Sequence, residues 1–304
     1  METGTVRDAN FKSATLEWPT WALLVITYSA WFSLTLYWQD VPGWSLWLIG
    51  GYTIALHSSL QHEALHGHPT TNKRLNIALV WLPATLWLPM ELYVENHLRH
   101  HRSDLTNPEL DPESFFVTQE KWRRLARWQQ QLLIFNNTFL GRMLVGPWLA
   151  AGGQYRVEFA RLRSGDWQHL GVLIRHVVSV TILLYWVIAV CQMPFWIYLL
   201  AFAWPGTSMM MIRSFLEHRY EPDHAHRTVL VDGCPVTRLM FLNNNYHWVH
   251  HDHPELAWYR IPAVARHERD EVLRNNGNYW YTGYLTIAWR FLLKPWTHPV
   301  HPAH

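Results

Sequence analysis

The chain has 304 residues, enough for one large domain or two small ones, and its formal charge of +2 includes no basic tract of the kind nucleic acid would require. Twenty Trp and twenty His stand far above ordinary usage; tryptophan favours the membrane–water interface and histidine is the commonest metal ligand. The two cysteines, Cys191 at the end of an apolar run and Cys234 in a polar loop, argue against a disulfide framework and against a thiolate-bound cluster.

The polar start, METGTVRDANFKSATLEW, carries no signal-peptide pattern, so the first apolar run is expected to stay in the mature protein. Residues 20–38 form an uninterrupted apolar stretch of spanning length, and 44–60 form a second after the turn Gln39-Asp40-Val41-Pro42-Gly43. Residues 170–193 and 195–212 make another such pair, divided at Pro194. No Lys or Arg lies between Lys12 and Lys73, and none between Arg175 and Arg213. Both hairpin tips therefore lack positive charge, and the positive-inside rule places both termini and the polar segments in the cytoplasm. The expectation is an all-α integral membrane protein, a single domain over 1–304, with four spanning helices in two hairpins and cytoplasmic segments over 61–169 and 213–304. Residues 75–94 are long enough to span but contain Pro83 and Pro89, and read as re-entrant or interfacial. Residues 132–151 and 279–296 read as helices lying in the interface.

Three histidine clusters adjoin these runs: His62-Glu63-Ala64-Leu65-His66, His97-Leu98-Arg99-His100-His101 and His247-Trp248-Val249-His250-His251. Residues three and four apart share a helix face, so each cluster can aim two or three imidazoles at one point. Eight imidazoles exceed the four ligands of one zinc and suit two metals, although imidazole alone does not select iron. His218, directly after the fourth run, is a ninth candidate ligand, while His57 falls on a different part of its helix face. Metal-bound imidazoles donate their second N–H to an acceptor, for which Glu63, Asp104, Asp111, Glu217 and Asp252 are the candidates. Asn243, Asn244 and Asn245 precede the third cluster and read either as an Asn-rich turn or as side chains that hold a metal-bound water.

The order and spacing of the boxes, H-x-x-x-H then H-x-x-H-H twice, resemble the membrane fatty acid desaturase–hydroxylase superfamily over roughly residues 56–263. His62 to Gly67, Asn96 to His101 and Asn245 to His251 carry that resemblance. It implies a mushroom-shaped fold, with the spanning helices under a cytoplasmic cap holding two iron ions, and it matches His218 to a further ligand. It implies O₂ as co-substrate and a lipid or fatty acyl substrate. With no cytochrome-type domain fused, electrons must come from a separate ferredoxin, rubredoxin or cytochrome. The run Asp111-Pro112-Glu113-Ser114 and the run from Trp258 to Pro262 are similar to bacterial members, carotenoid ketolases among them, which implies a bacterial inner membrane.

A chain methylene offers no acidic proton and no leaving group, so its C–H bond must yield to an oxidant made from O₂ and two electrons. Fatty acyl desaturation is the leading expectation; hydroxylation, ketolation and decarboxylation share the motifs. His62-Glu63-x-x-His66 also matches a zinc metalloprotease signature, but that reading leaves both H-x-x-H-H boxes unexplained. A metal transporter would want ionisable residues inside the spanning runs, which have almost none. The stretch from Lys121 to Arg127 is basic enough to meet an acidic electron donor or anionic headgroups.

Overall fold

The computed structural model describes residues 16–304 and is mostly helical; the reading of the polar N-terminus lies outside those residues. Helix α1 (Trp18–Leu36) carries Pro19 in its first turn, where proline costs no intrahelical bond. Helix α2 (Gly43–Leu65) continues past the apolar run into the first box and ends at His66, followed by Gly67 in the left-handed region at φ 105°. Helices α8 (Leu170–Val190) and α9 (Phe195–Ser214), each with one π-helical turn, form the second hairpin.

Between these pairs lie α3 (Lys73–Leu79), α4 (Met90–His100), α5 (Gln119–Arg124), α6 (Arg127–Asn136) and α7 (Phe139–Arg163). After α9 come β1 (Leu230–Val231), α10 (Pro235–Met240), α11 (His247–Asp252), α12 (Ile261–His267), α13 (Arg269–Asn275), β2 (Trp280–Tyr281) and α14 (Tyr284–Phe291).

Among the described residues, α1, α8 and α9 are long and apolar enough to cross a membrane. Helix α2 matches them in length at 23 residues but is diluted by glycine, serine and His57. Each of the four predicted runs is a helix, within a few residues of the expected ends. The two hairpin tips meet: Trp38 Nε1 donates to the Cys191 carbonyl at 3.1 Å, and Trp186 Nε1 donates to Thr35 Oγ1 at 3.1 Å.

Helices α2 and α9 run parallel, and glycines permit their close approach. A Cβ on Gly206 would stand 2.4 Å from Ile54 Cβ, and one on Gly50 would stand 2.6 Å from the Ala201 carbonyl oxygen. Further along, the Ser59 hydroxyl faces Met210 Sδ at 3.7 Å. This parallel pair delivers the first box and His218 to the same end of the bundle, opposite the tips.

Three expected segments differ in detail. Residues 75–94 are two helices joined by irregular chain, because Pro83 and Pro89 each forbid continuation; Pro89 instead caps α4. Residues 132–151 break at Asn137, where the Thr138 hydroxyl accepts from Gly141 N–H and starts α7. Within 279–296 only Tyr284–Phe291 is helical, since Trp280–Tyr281 pair in parallel with Leu230–Val231.

Candidate metal centre

Each box sits at a helix end. The first closes α2, the second closes α4 with His101 just beyond it, and the third fills the short α11. Strand β1 holds α11 in place: Trp248 N–H donates to the Val229 carbonyl at 3.0 Å, and Val231 N–H donates to the Asn245 carbonyl at 2.9 Å. Just upstream, Val229 N–H donates to the Glu217 carbonyl at 3.0 Å, so His218 and Thr228 pair as an antiparallel bridge. The return from α9 to the third box is thus a continuous run of backbone hydrogen bonds.

All nine candidate histidines converge. His62, His66, His97 and His250 form one group, and His100, His218, His247 and His251 form another, the ligand atoms of each group lying within 4.8 Å of one another. His101 stands where the groups meet: its Nε2 is 3.0 Å from His97 Nε2 and 3.1 Å from His250 Nε2, and its ring stacks on His251 at 4.4 Å. Both H-x-x-H-H boxes divide the same way. The i, i+4 members stay together, His97 with His101 and His247 with His251, while His100 and His250 cross to the opposite group. On an α-helix the fourth residue lies about 40° round the axis and the third about 60° the other way, which aims them at different points.

Outer partners fix the rings. His100 Nδ1 lies 2.7 Å from Asp111 Oδ1, and His97 Nδ1 lies 2.9 Å from Glu113 Oε1. His247 Nδ1 faces Asn244 Oδ1 at 2.9 Å, and His218 Nδ1 faces Thr228 Oγ1 at 3.2 Å. Asn244 touches both groups, because its Nδ2 is 3.3 Å from His62 Nε2.

The donor set fits a pair of cations. A carboxylate or amide oxygen at Nδ1 assigns the proton there, leaving a lone pair on Nε2 of His97, His100 and His247. Yet the Nε2 atoms face one another: His100 to His218 at 3.1 Å, His247 to His218 at 3.2 Å and His97 to His66 at 3.2 Å. One proton on His218 Nε2 satisfies one of its two neighbours and leaves the other's lone pair without a donor, whereas a cation between the rings would satisfy all of them.

Burial keeps most of these imidazoles neutral, the form that binds metal. It pushes His62, His66, His218, His247, His250 and His251 well below the ordinary histidine value, and neighbouring histidines push the same way. His101 falls to about 3 for the same reasons. His100 is the exception: burial lowers it, but Glu113, Asp111 and Glu217 together outweigh that and raise it to about 9, so its Nε2 lone pair becomes free only as a bound cation displaces the second proton.

Of the expected acceptors, Asp111 braces a box histidine and Glu217 approaches one, 3.6 Å from His247 Nδ1 while paired with Arg213. The other three face elsewhere. Glu63 accepts from Trp258 N–H at 3.2 Å, with burial raising it to about 7; Asp104 pairs with Arg227; Asp252 lies 3.2 Å from His253. A general base at Glu63 therefore does not face the imidazole groups, and the protease reading loses its catalytic residue. Glu113 and Thr228 are the partners that residue spacing did not single out, and Asn244, one of the three asparagines named before the third cluster, braces the His247 ring itself. Glu113 was legible as the second acid of the Asp-Pro-Glu run and Asn244 as i−3 of His247, but Thr228 reaches His218 only through the hairpin.

His57 joins neither group and contacts the Tyr28 hydroxyl at 3.3 Å; His68 pairs with Glu17 at 2.8 Å.

A family model described as fatty acid desaturase matches residues 38–283, a span that includes every box. The chain belongs to that family. No curated protein gives a significant match. As a desaturase-family chain with three apolar helices of spanning length, it reads as a membrane protein whose histidine groups can hold metal.

Proposed function

We propose that this family member is an O₂-dependent di-iron oxidase acting on unactivated C–H bonds of a lipid acyl chain, with fatty acyl desaturation as its reaction. The single observation that carries the reading is the convergence of nine imidazoles in two adjoining groups. His62, His66, His97, His101 and His250 would hold one iron, and His100, His218, His247 and His251 the other. Bound there, the irons supply the oxidising power that acid–base side chains lack.

The residues of the chain do the rest. Asp111, Glu113 and Asn244 keep the Nδ1 protons of His100, His97 and His247 in place, so that their Nε2 atoms stay available and correctly aimed. Six of the nine rings are buried to below a tenth of their surface, which keeps bulk water from the reacting carbon. A groove of about 550 Å³ on α1, lined by Trp21, Leu24, Val25, Tyr28, Phe32 and Leu79, offers an apolar surface to a chain approaching from the bilayer.

In the proposed topology α2 is the fourth span, and the box-bearing ends form a cytoplasmic cap within a single domain. Support comes from the joined tips, which lack Lys and Arg, lying opposite the boxes. Exposed Leu144, Trp148 and Phe159 on α7, with Leu285 and Trp289 on α14, suit helices resting in the interface. Electrons would come from a separate carrier protein.

The test is metal analysis together with lipid mass spectrometry of a host expressing the chain. Two irons per chain and acyl chains short of two hydrogens are expected. One zinc per chain, or no iron in active protein, would overturn the oxidase reading. A gained oxygen would replace desaturation with hydroxylation on the same centre.

A further inference from the structure

The loop between α4 and α5 carries both carboxylates that brace the boxes, Asp111 against His100 and Glu113 against His97. Two distant segments hold this loop. Arg227 donates to the Asp104 carboxylate and to the Leu105 carbonyl at 2.9 Å. On the other side runs the stretch from Thr297 to His301, where Val117 N–H donates to the Pro299 carbonyl at 2.9 Å and His301 N–H donates to the Val117 carbonyl at 3.0 Å. Val117 and Val300 pair as a parallel bridge.

His301 is 3 % exposed. Its ring stands edge-on to Phe116 at 5.2 Å and to Tyr220 at 4.7 Å, and its Nε2 lies 3.2 Å from Thr106 Oγ1. Thr106 is a β-branched residue at φ 74°, a conformation that persists only where the surroundings over-determine it. All three of its polar groups are engaged. Its N–H donates to Asp111 Oδ2 at 2.9 Å, its carbonyl accepts from Ser114 Oγ at 2.6 Å, and its hydroxyl meets His301. Asp111 is thereby held through one oxygen by Thr106 while the other faces His100 Nδ1 at 2.7 Å.

We infer that His301 is a positioning residue for the imidazole group that contains His100, acting through Thr106 and Asp111. The ring keeps Thr106 in its strained conformation; that conformation aims the Thr106 N–H at Asp111; Asp111 then sets the His100 ring. The inference rests on the two-metal reading of the histidine groups. A residue 200 positions from the second box thus belongs to the support of the metal centre.

The test uses the full chain in detergent, comparing the unaltered protein with His301→Ala, His301→Gln, Thr106→Gly and the Thr106→Gly/His301→Ala double variant. Metal per chain is followed during exposure to a chelator, and the melting temperature of metal-stripped protein is recorded alongside. His301→Ala is expected to lose one of its two metals about tenfold faster, the low end for outer partners of metal ligands. His301→Gln, which keeps a side-chain N–H near Thr106, should restore retention. Glycine adopts positive φ without strain, so His301→Ala should add little in the Thr106→Gly background.

Equal retention in His301→Ala and the unaltered protein would overturn the inference. So would joint, equal loss of both metals with a lowered melting temperature of the stripped protein, which is the signature of a merely structural strap. An unaltered protein without metal would instead overturn the two-metal reading, and the positioning role with it.

Discussion

In the group around His100, three of four imidazoles have Nδ1 engaged by a neighbour: Asp111 for His100, Thr228 for His218 and Asn244 for His247. In the group around His97, the corresponding brace is Glu113, whose side chain is 32 % exposed, whereas that of Asp111 is 2 % exposed. His66 and His101 on that side are also partly exposed. The same boxes therefore build two unequal sites. One has three of its rings braced from behind and a buried carboxylate on His100, with only His251 partly exposed; the other carries fewer outer constraints. Ligand count alone would have made them look alike, and the difference lies in what stands behind the ligands.

The largest effect should come from removing a ligand on the more heavily braced side. His100→Ala is expected to abolish product formation and to drop the metal content by one per chain, while the protein still inserts. Full activity, checked by lipid mass spectrometry, would remove the second box from the mechanism. Next comes the pair Asp111→Asn and Glu113→Gln. Each should weaken metal binding, by about 10- to 100-fold for such outer partners, with Asp111→Asn the more severe because its carboxylate is buried. Chelator competition measures both, and the reverse order would break the comparison.

A smaller effect should follow from the spacing between the groups. Helix α2 brings His62 and His66, α9 brings His218, and Gly206 lets the two helices touch. Gly206→Ala should cost about 1–3 kcal/mol through overpacking against Ile54. A lowered melting temperature in detergent is expected, and an unchanged one would show that the crossing relaxes freely.

The smallest effect concerns both groups equally. Arg269 donates to both oxygens of Asp232, beside the strand that docks α11. Burial alone would raise the Asp232 carboxyl; hydrogen bonds from Arg269 and Trp280 outweigh it, and its folded value is lowered. A lowered acid contributes stability at neutral pH that is lost as pH falls through the folded value. With about a third of each side chain open to solvent screening, the pair is worth under about 1 kcal/mol. Asp232→Asn should flatten the acidic limb of a melting-temperature profile slightly, and a steeper limb would contradict the sign.

Much of this architecture was legible because membrane crossing imposes length and apolarity on a continuous stretch, and because imidazole pairs on a helix announce themselves by spacing. The runs ending near Trp38 and Ile212 and the three boxes follow from those two rules. Apolar content alone would mislead over residues 75–94, but Pro83 and Pro89 were the signal that the stretch does not run on as one helix, and it is two helices joined by irregular chain. Glu63 misled in another way: it adjoins His62 in sequence, yet successive residues on a helix point about 100° apart, so it faces Trp258.

The sequence by itself determined where the four long apolar helices run, which end carries the histidines and that their number suits two metals, since hydropathy and i, i+4 spacing are local properties. Only the tertiary structure decided how the nine imidazoles divide and which side chains brace them. Those contacts join segments as far apart as His100 and His218, or Thr106 and His301, and such pairings depend on how helices cross and loops close, which no local pattern records.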